Sequence, residues 1–301
     1  MKKDMTLNRK RVFMEKFFHV LFLLAALVAV ISVALIIIFI FGKGLAPFFP
    51  NNEYGTYPFL DFISGLKWTP QSGEYGIGYM IVSSILATLG AIVIGVPIAL
   101  LTSVFIAEVA PKPLANIVRP AIELLAAIPS VLYGVFGFAV ITPLIKQFSP
   151  HPTGDSLLAV IAVLTIMILP TIVAVVETAI RAVPQSYKEG SLALGASKMQ
   201  TIFKVVLPAA KSGILTGVIL GVGRAIGETM AVILVAGNPE SGIPHTIFDR
   251  VRLLTTNIAL EQGYAAEMHE QMLFSTAVVL FIFIMIINLV LSLIQKKAGD
   301  R

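Results

Sequence analysis

Residues 212–238 read "SGILTGVILGVGRAIGETMAVILVAGN". Whether this run crosses a membrane decides the fold. Only Arg224 and Glu228 interrupt its apolar and small residues, four positions apart. A lone charge at the centre of a membrane helix costs about 2.5–3.5 kcal/mol on insertion scales, so such residues usually face a cavity or a partner.

The rest of the chain supplies the context. Of its 301 residues, 57% are hydrophobic and 13% charged, with a mean hydropathy of +0.90. Soluble domains carry about 25% charged residues. Residues 17–42, 75–107, 124–145, 156–176 and 271–295 contain no Asp, Glu, Lys or Arg. Each is long enough to span a bilayer core, which takes about 20 helical residues. With the run at 210–238 accepted as a sixth, the sequence predicts an all-α integral membrane protein of six transmembrane helices.

The net charge of +5 then reads as an orientation signal rather than a nucleic-acid footprint. With the N-terminus inside, sixteen Lys and Arg fall on the cytoplasmic side and five outside, with Arg224 in the membrane. That asymmetry follows the positive-inside rule and predicts both termini in the cytoplasm. The first apolar run exceeds the about 7–15 residues of a signal-peptide core, so it is expected to be a retained helix. The chain has no cysteine, and its four histidines show no metal-ligand spacing.

Three segments follow along the chain. Residues 1–78 hold a cytoplasmic N-terminus, the first helix and an outer loop rich in aromatics (Phe48, Phe49, Tyr54, Tyr57, Phe59, Phe62, Trp68, Tyr75). Those rings suit interfacial anchoring, or a surface for an extracytoplasmic partner, which the second outer loop at 239–270, with Arg250 and Arg252, could share. Residues 79–295 form the helical core and 296–301 a cytoplasmic tail. Pro97, Pro129, Pro143 and Pro170 interrupt the spans, and prolines at such depth are tolerated where protein or a water-lined cavity satisfies the freed backbone.

The cytoplasmic loop at 184–208 is the most informative soluble segment. Pro184 opens it, and Leu192, Ala196, Met199, Ile202 and Phe203 recur at helical spacing among lysines. Gly195 is expected to bend that helix, at a cost of about 1 kcal/mol relative to Ala. The result is an amphipathic helix-bend-helix whose apolar side needs headgroups or a protein groove. Its residues resemble the loop motif of ABC importer permeases, E-A-A-x3-G-x9-I-x-L-P: Glu189, Gly195, Val205, Leu207 and Pro208 fall at that spacing, with Gly190-Ser191 for Ala-Ala and Val205 for Ile. The resemblance implies that Glu189, Gly195, Ala196, Leu207 and Pro208 dock a separate ATPase. No G-x-x-x-x-G-K-[ST] loop occurs, so ATP is expected to be used by that other chain and no cofactor to be bound here.

Two further stretches, "IELLAAIPSVLYGVFG" at 122–137 and "LGVGRAIGETMAVILVAG" at 220–237, look like phosphate importer permeases of the PstC type, as does "YGI" at 75–77. Ser83-Ser84 departs from the Gly-Thr common there. The resemblance spans roughly residues 60–295 and implies a type I (MetI-like) permease bundle. Implied partners are a homologous second permease of the PstA type, two copies of a cytoplasmic ABC ATPase and an extracytoplasmic phosphate-binding protein, with inorganic phosphate as cargo.

In that light Arg224, Glu228 and Thr229 are candidates for the substrate path. Arg224 lies 13 residues past Lys211, hence about 20 Å into a core about 30 Å thick. Its guanidinium matches phosphate oxygens and stays protonated when buried. Glu228, expected one turn further on the same helix face, would hold Arg224 and keep the empty path near neutral. The alternative is a structural ion pair, though with the base preceding the acid the order is the less favourable one. Glu123 is similarly placed to pair with Arg119. A permease for molybdate, sulfate or phosphonate shares these features, and a membrane enzyme or scaffold is the different-class alternative, for which no catalytic constellation is visible.

Overall fold

The computed structural model describes residues 2–50 and 52–299. It is almost wholly helical. In chain order the helices are α1 (Lys2–Leu45), α2 (Phe59–Ser64), α3 (Gly78–Val104), α4 (Lys112–Ala127), α5 (Ser130–Phe136), α6 (Thr142–Lys146) and α7 (Leu157–Arg181). Then come α8 (Gln185–Ala193), α9 (Lys198–Thr201), α10 (Leu207–Ala209), α11 (Lys211–Gly227), α12 (Met230–Ile233), α13 (Leu254–Glu261) and α14 (Glu267–Gly299). Among the described residues one small hairpin, β1 (Trp68–Thr69) against β2 (Glu74–Tyr75), pairs antiparallel in the loop between α1 and α3, with Trp68 opposite Tyr75.

Four helical segments are long and apolar enough to cross a membrane: Arg11–Phe48, Gly78–Val109, Leu157–Arg181 and Glu267–Lys297. Two more arise only if a bent pair counts as one span. Lys112–Ala127 and Ser130–Lys146 meet at 98°, and Lys198–Ala209 and Lys211–Gly227 at 70°. The apolar run at 124–145 is therefore not one straight helix: its first residues belong to α4, and the chain turns at Ile128–Pro129, both in extended conformation. Proline at 129 has no N–H to continue the α4 ladder, and it biases Ile128 away from the helical region.

Helix α7 is the axis of the core, buried along most of its length. Its branched side chains sit against glycines of both neighbours. A Cβ at Gly90 or Gly95 of α3 would come within 2.5 Å of Ile161 or 2.8 Å of Ile168. At Gly213, Gly217 and Gly221 of α11 it would reach Ala179, Val176 and Ile172 at 2.3, 2.8 and 2.5 Å. In a bilayer, lipid competes for apolar surface, so helices associate through close packing at small residues rather than through burial from water. The other side of α11 is different. A Cβ at Gly223 or Gly227 meets nothing within 4 Å.

Helix α1 packs on α14 through its C-terminal end. Phe39 and Phe41 make edge contacts with Phe274 and Phe281, and Ser275 donates to the Gly44 carbonyl at 2.7 Å. A second core lies beneath the loop between α1 and α3, where Phe62, Trp68, Tyr75, Tyr79 and Met272 are buried together. The aromatic-rich loop is thus partly a folded cap: Phe48 packs on Phe59 and Phe62, and Tyr75 on Tyr57 and Trp68. Phe49, Tyr54 and Phe59 keep exposed faces.

Candidate functional site

Arg224 stands in the last turn of α11, three residues before the helix ends at Gly227. Here the structure departs from the sequence expectation. Glu228 does not continue the helix; its backbone is extended (φ −70°, ψ 131°), and Thr229 begins a new direction before the short helix α12. Three glycines among residues 221–227 weaken helical continuation. Glu228 is then used elsewhere. Its Oε1 accepts from the Ala231 N–H at 3.0 Å, capping the first turn of α12, and its carbonyl accepts from the Thr255 hydroxyl at 3.0 Å. It is nearly fully buried. Thr229 donates to the Gly227 carbonyl at 3.3 Å and is partly exposed.

The expected Arg224–Glu228 pair is consequently not formed. Arg224 Nη1 donates to the Thr171 hydroxyl of α7 at 2.7 Å. Among the described residues no carboxylate lies within 4.0 Å of its guanidinium. The charge is tolerated because the C-terminal carbonyls of α11 present partial negative charge to a last-turn cation. Thr171 was absent from the sequence reading. A polar residue directly after Pro170, within an apolar run, was the available signal.

At the C-terminal end of α7 a second charged cluster joins α4 and α7. Glu177, buried, takes Arg119 Nη2 at 2.7 Å and Arg181 Nε at 2.8 Å, both on Oε1. Arg119 thus pairs across the bundle with a residue 58 positions away, not with Glu123 one turn along. A cavity of about 340 Å³ opens beside the cluster, lined by Arg119, Glu123, Glu177, Thr178 and Arg181. A third buried group, Arg252 with Glu261 of α13 and His269 of α14, uses Arg252, which is therefore not free for a partner. Arg250 donates to the Thr153 hydroxyl at 2.9 Å.

The loop at 184–208 forms the bent helix pair that its sequence predicts. Helix α8 ends at Ala193, Gly195 adopts φ +86°, and Ser197 caps α9 with Gln200 in a reciprocal capping box. A residue with a Cβ is strained at that φ, so the bend needs glycine. Five residues from Ile202 to Val206 then form a π-turn before Leu207 and Pro208 lead into α11. Glu189 and Pro208 are exposed and Leu207 half-buried. Tyr187, Gly190, Leu194, Ala196 and Val205 line an open groove of about 560 Å³. Leu194 is 91% exposed, an apolar side chain left bare on the loop. Glu189 lies on α8 and Gly195 and Ala196 in the bend that follows it, whereas Arg224 stands in the last turn of α11 and Glu228 and Thr229 just beyond.

The chain is similar to known proteins in sequence and in fold. The chain is 39% identical to a probable ABC transporter permease protein, YqgH, of Bacillus subtilis (strain 168) over 271 residues, 87% of this chain and 86% of that one. It is 33% identical to the phosphate transport system permease protein PstC of Pasteurella multocida (strain Pm70), covering 83% and 85% of the two chains. A solved bacterial ABC transporter involved in importing the acidic polysaccharide alginate superimposes with a TM-score of 0.63 at 17% identity, over 91% of this chain and 95% of that one. The family of binding-protein-dependent transport system inner membrane components matches residues 95–300. With its α7-centred bundle and bent loop at 184–208, this chain belongs to that family: it is a membrane-embedded permease subunit of an ABC importer, a transport component and not an enzyme.

Proposed function

We propose that this chain is the permease of a phosphate importer in a prokaryotic cytoplasmic membrane. In this reading it crosses six times, each bent pair making one crossing, with both termini inside. It pairs with a homologous PstA-type permease, two copies of a cytoplasmic ATPase and an extracytoplasmic phosphate-binding protein. The identity to curated PstC proteins supports the cargo. Arg224, Glu228 and Thr229 border the path, and Glu189, Gly195, Ala196, Leu207 and Pro208 form the ATPase-docking segment. ATP binds the partner ATPase, and this chain holds no cofactor.

The observation that carries the reading is Arg224 itself. It is a permanent cation at the end of a broken helix, held by a neutral hydroxyl, beside a face that Gly223 and Gly227 leave open. Transporter sites are commonly built where spanning helices break. A fixed guanidinium there offers an oxyanion planar, paired donors without a competing carboxylate. Glu228, buried one step beyond, limits the net positive field so that the anion can leave, as conduction requires.

The test is uptake by the assembled importer in proteoliposomes, using labelled phosphate with ATP inside and binding protein outside. Unlabelled phosphate should compete, while molybdate, sulfate and a phosphonate should not. Stronger competition by one of those three would reassign the cargo, and ATP-independent uptake would overturn the importer reading.

A further inference from the structure

Helix α8 is tied to the membrane bundle by one side-chain hydrogen bond among the described residues, from Lys188 Nζ to Glu108 Oε1. The other side-chain bond from α8, Ser191 to Thr201, stays within the loop. Glu108 lies in the π-turn Phe105–Val109 that closes α3. The two side chains are only 17% and 12% exposed. An exposed pair could exchange partners with water at little cost, whereas a largely buried one cannot lose one member without stranding the other.

The same π-turn is gripped from a second side. Arg181 Nη2, at the end of α7, donates to the Ile106 carbonyl at 3.1 Å while its Nε holds Glu177. Glu177 in turn holds Arg119 of α4. A displacement of α8 therefore meets, within one turn of chain, the ends of α3 and α7 and the face of α4. Helix α7 carries Thr171, six residues or about 9 Å above Glu177, and Thr171 holds Arg224. π-turns carry an extra residue per turn and recur at functional positions.

We propose that Lys188 and Glu108 are positioning residues for transport coupling: their ion pair transmits movement of the α8–α9 loop to the π-turn after α3, and so to α7. The pair contributes nothing to the groove lined by Tyr187, Leu194 and Ala196. Docking of the ATPase and transmission of its stroke are thus assigned to different faces of α8. The inference rests on the reading of residues 184–208 as the ATPase-docking segment.

The experiment uses the complete importer in proteoliposomes with Lys188→Met, Glu108→Gln and the exchange Lys188→Glu/Glu108→Lys. Three quantities are read: ATPase retained on purification, ATP hydrolysed, and phosphate taken up per ATP. Both single variants should retain the ATPase and its hydrolysis while uptake per ATP falls roughly three- to tenfold, the range over which residues along a coupling network act. The exchange should restore at least half of the ratio. An unchanged ratio in the single variants, or an exchange no better than either single variant, overturns the relay. Loss of the ATPase from the single variants would also overturn it, by making the pair part of the docking surface. Failure of the underlying reading looks different: the unaltered chain would then retain no ATPase, or would retain it equally well after Gly195→Glu and Leu194→Asp.

Discussion

Arg181 and Arg224 both stand in the last turn of a helix, α7 and α11, where the helix dipole favours a cation. Their partners differ. Arg181 holds the Glu177 carboxylate and a backbone carbonyl, and Arg119 shares the same carboxylate oxygen. Among the described residues Arg224 holds only the hydroxyl of Thr171, ten residues or about 15 Å along α7 from Arg181. The first arrangement neutralises and locks; the second orients a charge without cancelling it. A cation assigned to bind something transient is best left with a neutral partner, since a carboxylate would compete with the incoming anion.

Substitution of the orienting pair is the most direct way to break this comparison. Arg224→Gln keeps a donor near Thr171 but removes the charge, so phosphate uptake by the assembled importer should fall roughly 10- to 100-fold, the worth of hydrogen bonds to a charged group. Assembly with the ATPase should be unchanged on co-purification. Near-normal uptake by a correctly inserted Arg224→Gln protein would return Arg224 to a structural role.

Glu177→Gln probes the locked cluster. Two guanidinium groups would lose their shared carboxylate, so the thermal midpoint of the detergent-solubilised protein should drop by several degrees, while the affinity for phosphate stays unchanged. A drop in apparent affinity without loss of stability would make the cluster part of the path. Thr171→Val should have a smaller effect: the charge remains but its orientation is lost, so uptake falls about 3- to 10-fold, the worth of one hydrogen bond. Thr171→Ser should keep most of the activity, because the hydroxyl survives.

The smallest effect is expected at a third kind of site, where an acid is held without any Arg or Lys. Asp249, in the outer loop, accepts from the backbone N–H of Thr246 at 2.8 Å and of His245 at 2.7 Å, and contacts His151 Nε2 at 2.9 Å. These bonds, that to the Thr246 N–H foremost, lower its pKa from 3.8 to about 2. Because the folded value is depressed, the stability it contributes is present above the unfolded pKa and is lost as pH falls from about 4 towards 2. Protease access to residues 245–249 should therefore rise only below about pH 4. An equal rise at pH 6 would mean that these hydrogen bonds do not hold the loop.

Much of the architecture was legible in the linear chain, for identifiable reasons. Apolar runs report membrane crossing because every apolar residue adds locally, and the bend at Gly195 was legible because φ +86° selects glycine. Partners across the bundle were not. The i, i+4 rule paired Arg119 with Glu123 and Arg224 with Glu228, but both arginines bond to α7, at Glu177 and Thr171. Helix spacing carries no record of which neighbour a face will meet. The break at Glu228 was likewise missed, since the apolar residues after it continue the helical composition while its carboxylate caps a new helix at Ala231. The aromatic loop looked like an anchor because Trp and Tyr favour interfaces; its Trp68 and Tyr75 are buried in a core that the hairpin forms with residues of α2, α3, α13 and α14.

Three five-residue π-turns occur among the described residues, at Phe105–Val109, Gly137–Ile141 and Ile202–Val206. Each holds one residue more than an α-helix needs for the same advance. Deleting a single residue there would restore the regular ladder and remove the widened turn. A chain shortened within Phe105–Val109 would lose the turn that presents Glu108 to Lys188 and the Ile106 carbonyl to Arg181. In homologues of this chain, a one-residue gap at such a turn would therefore mark the loss of a contact between helices rather than of a piece of span.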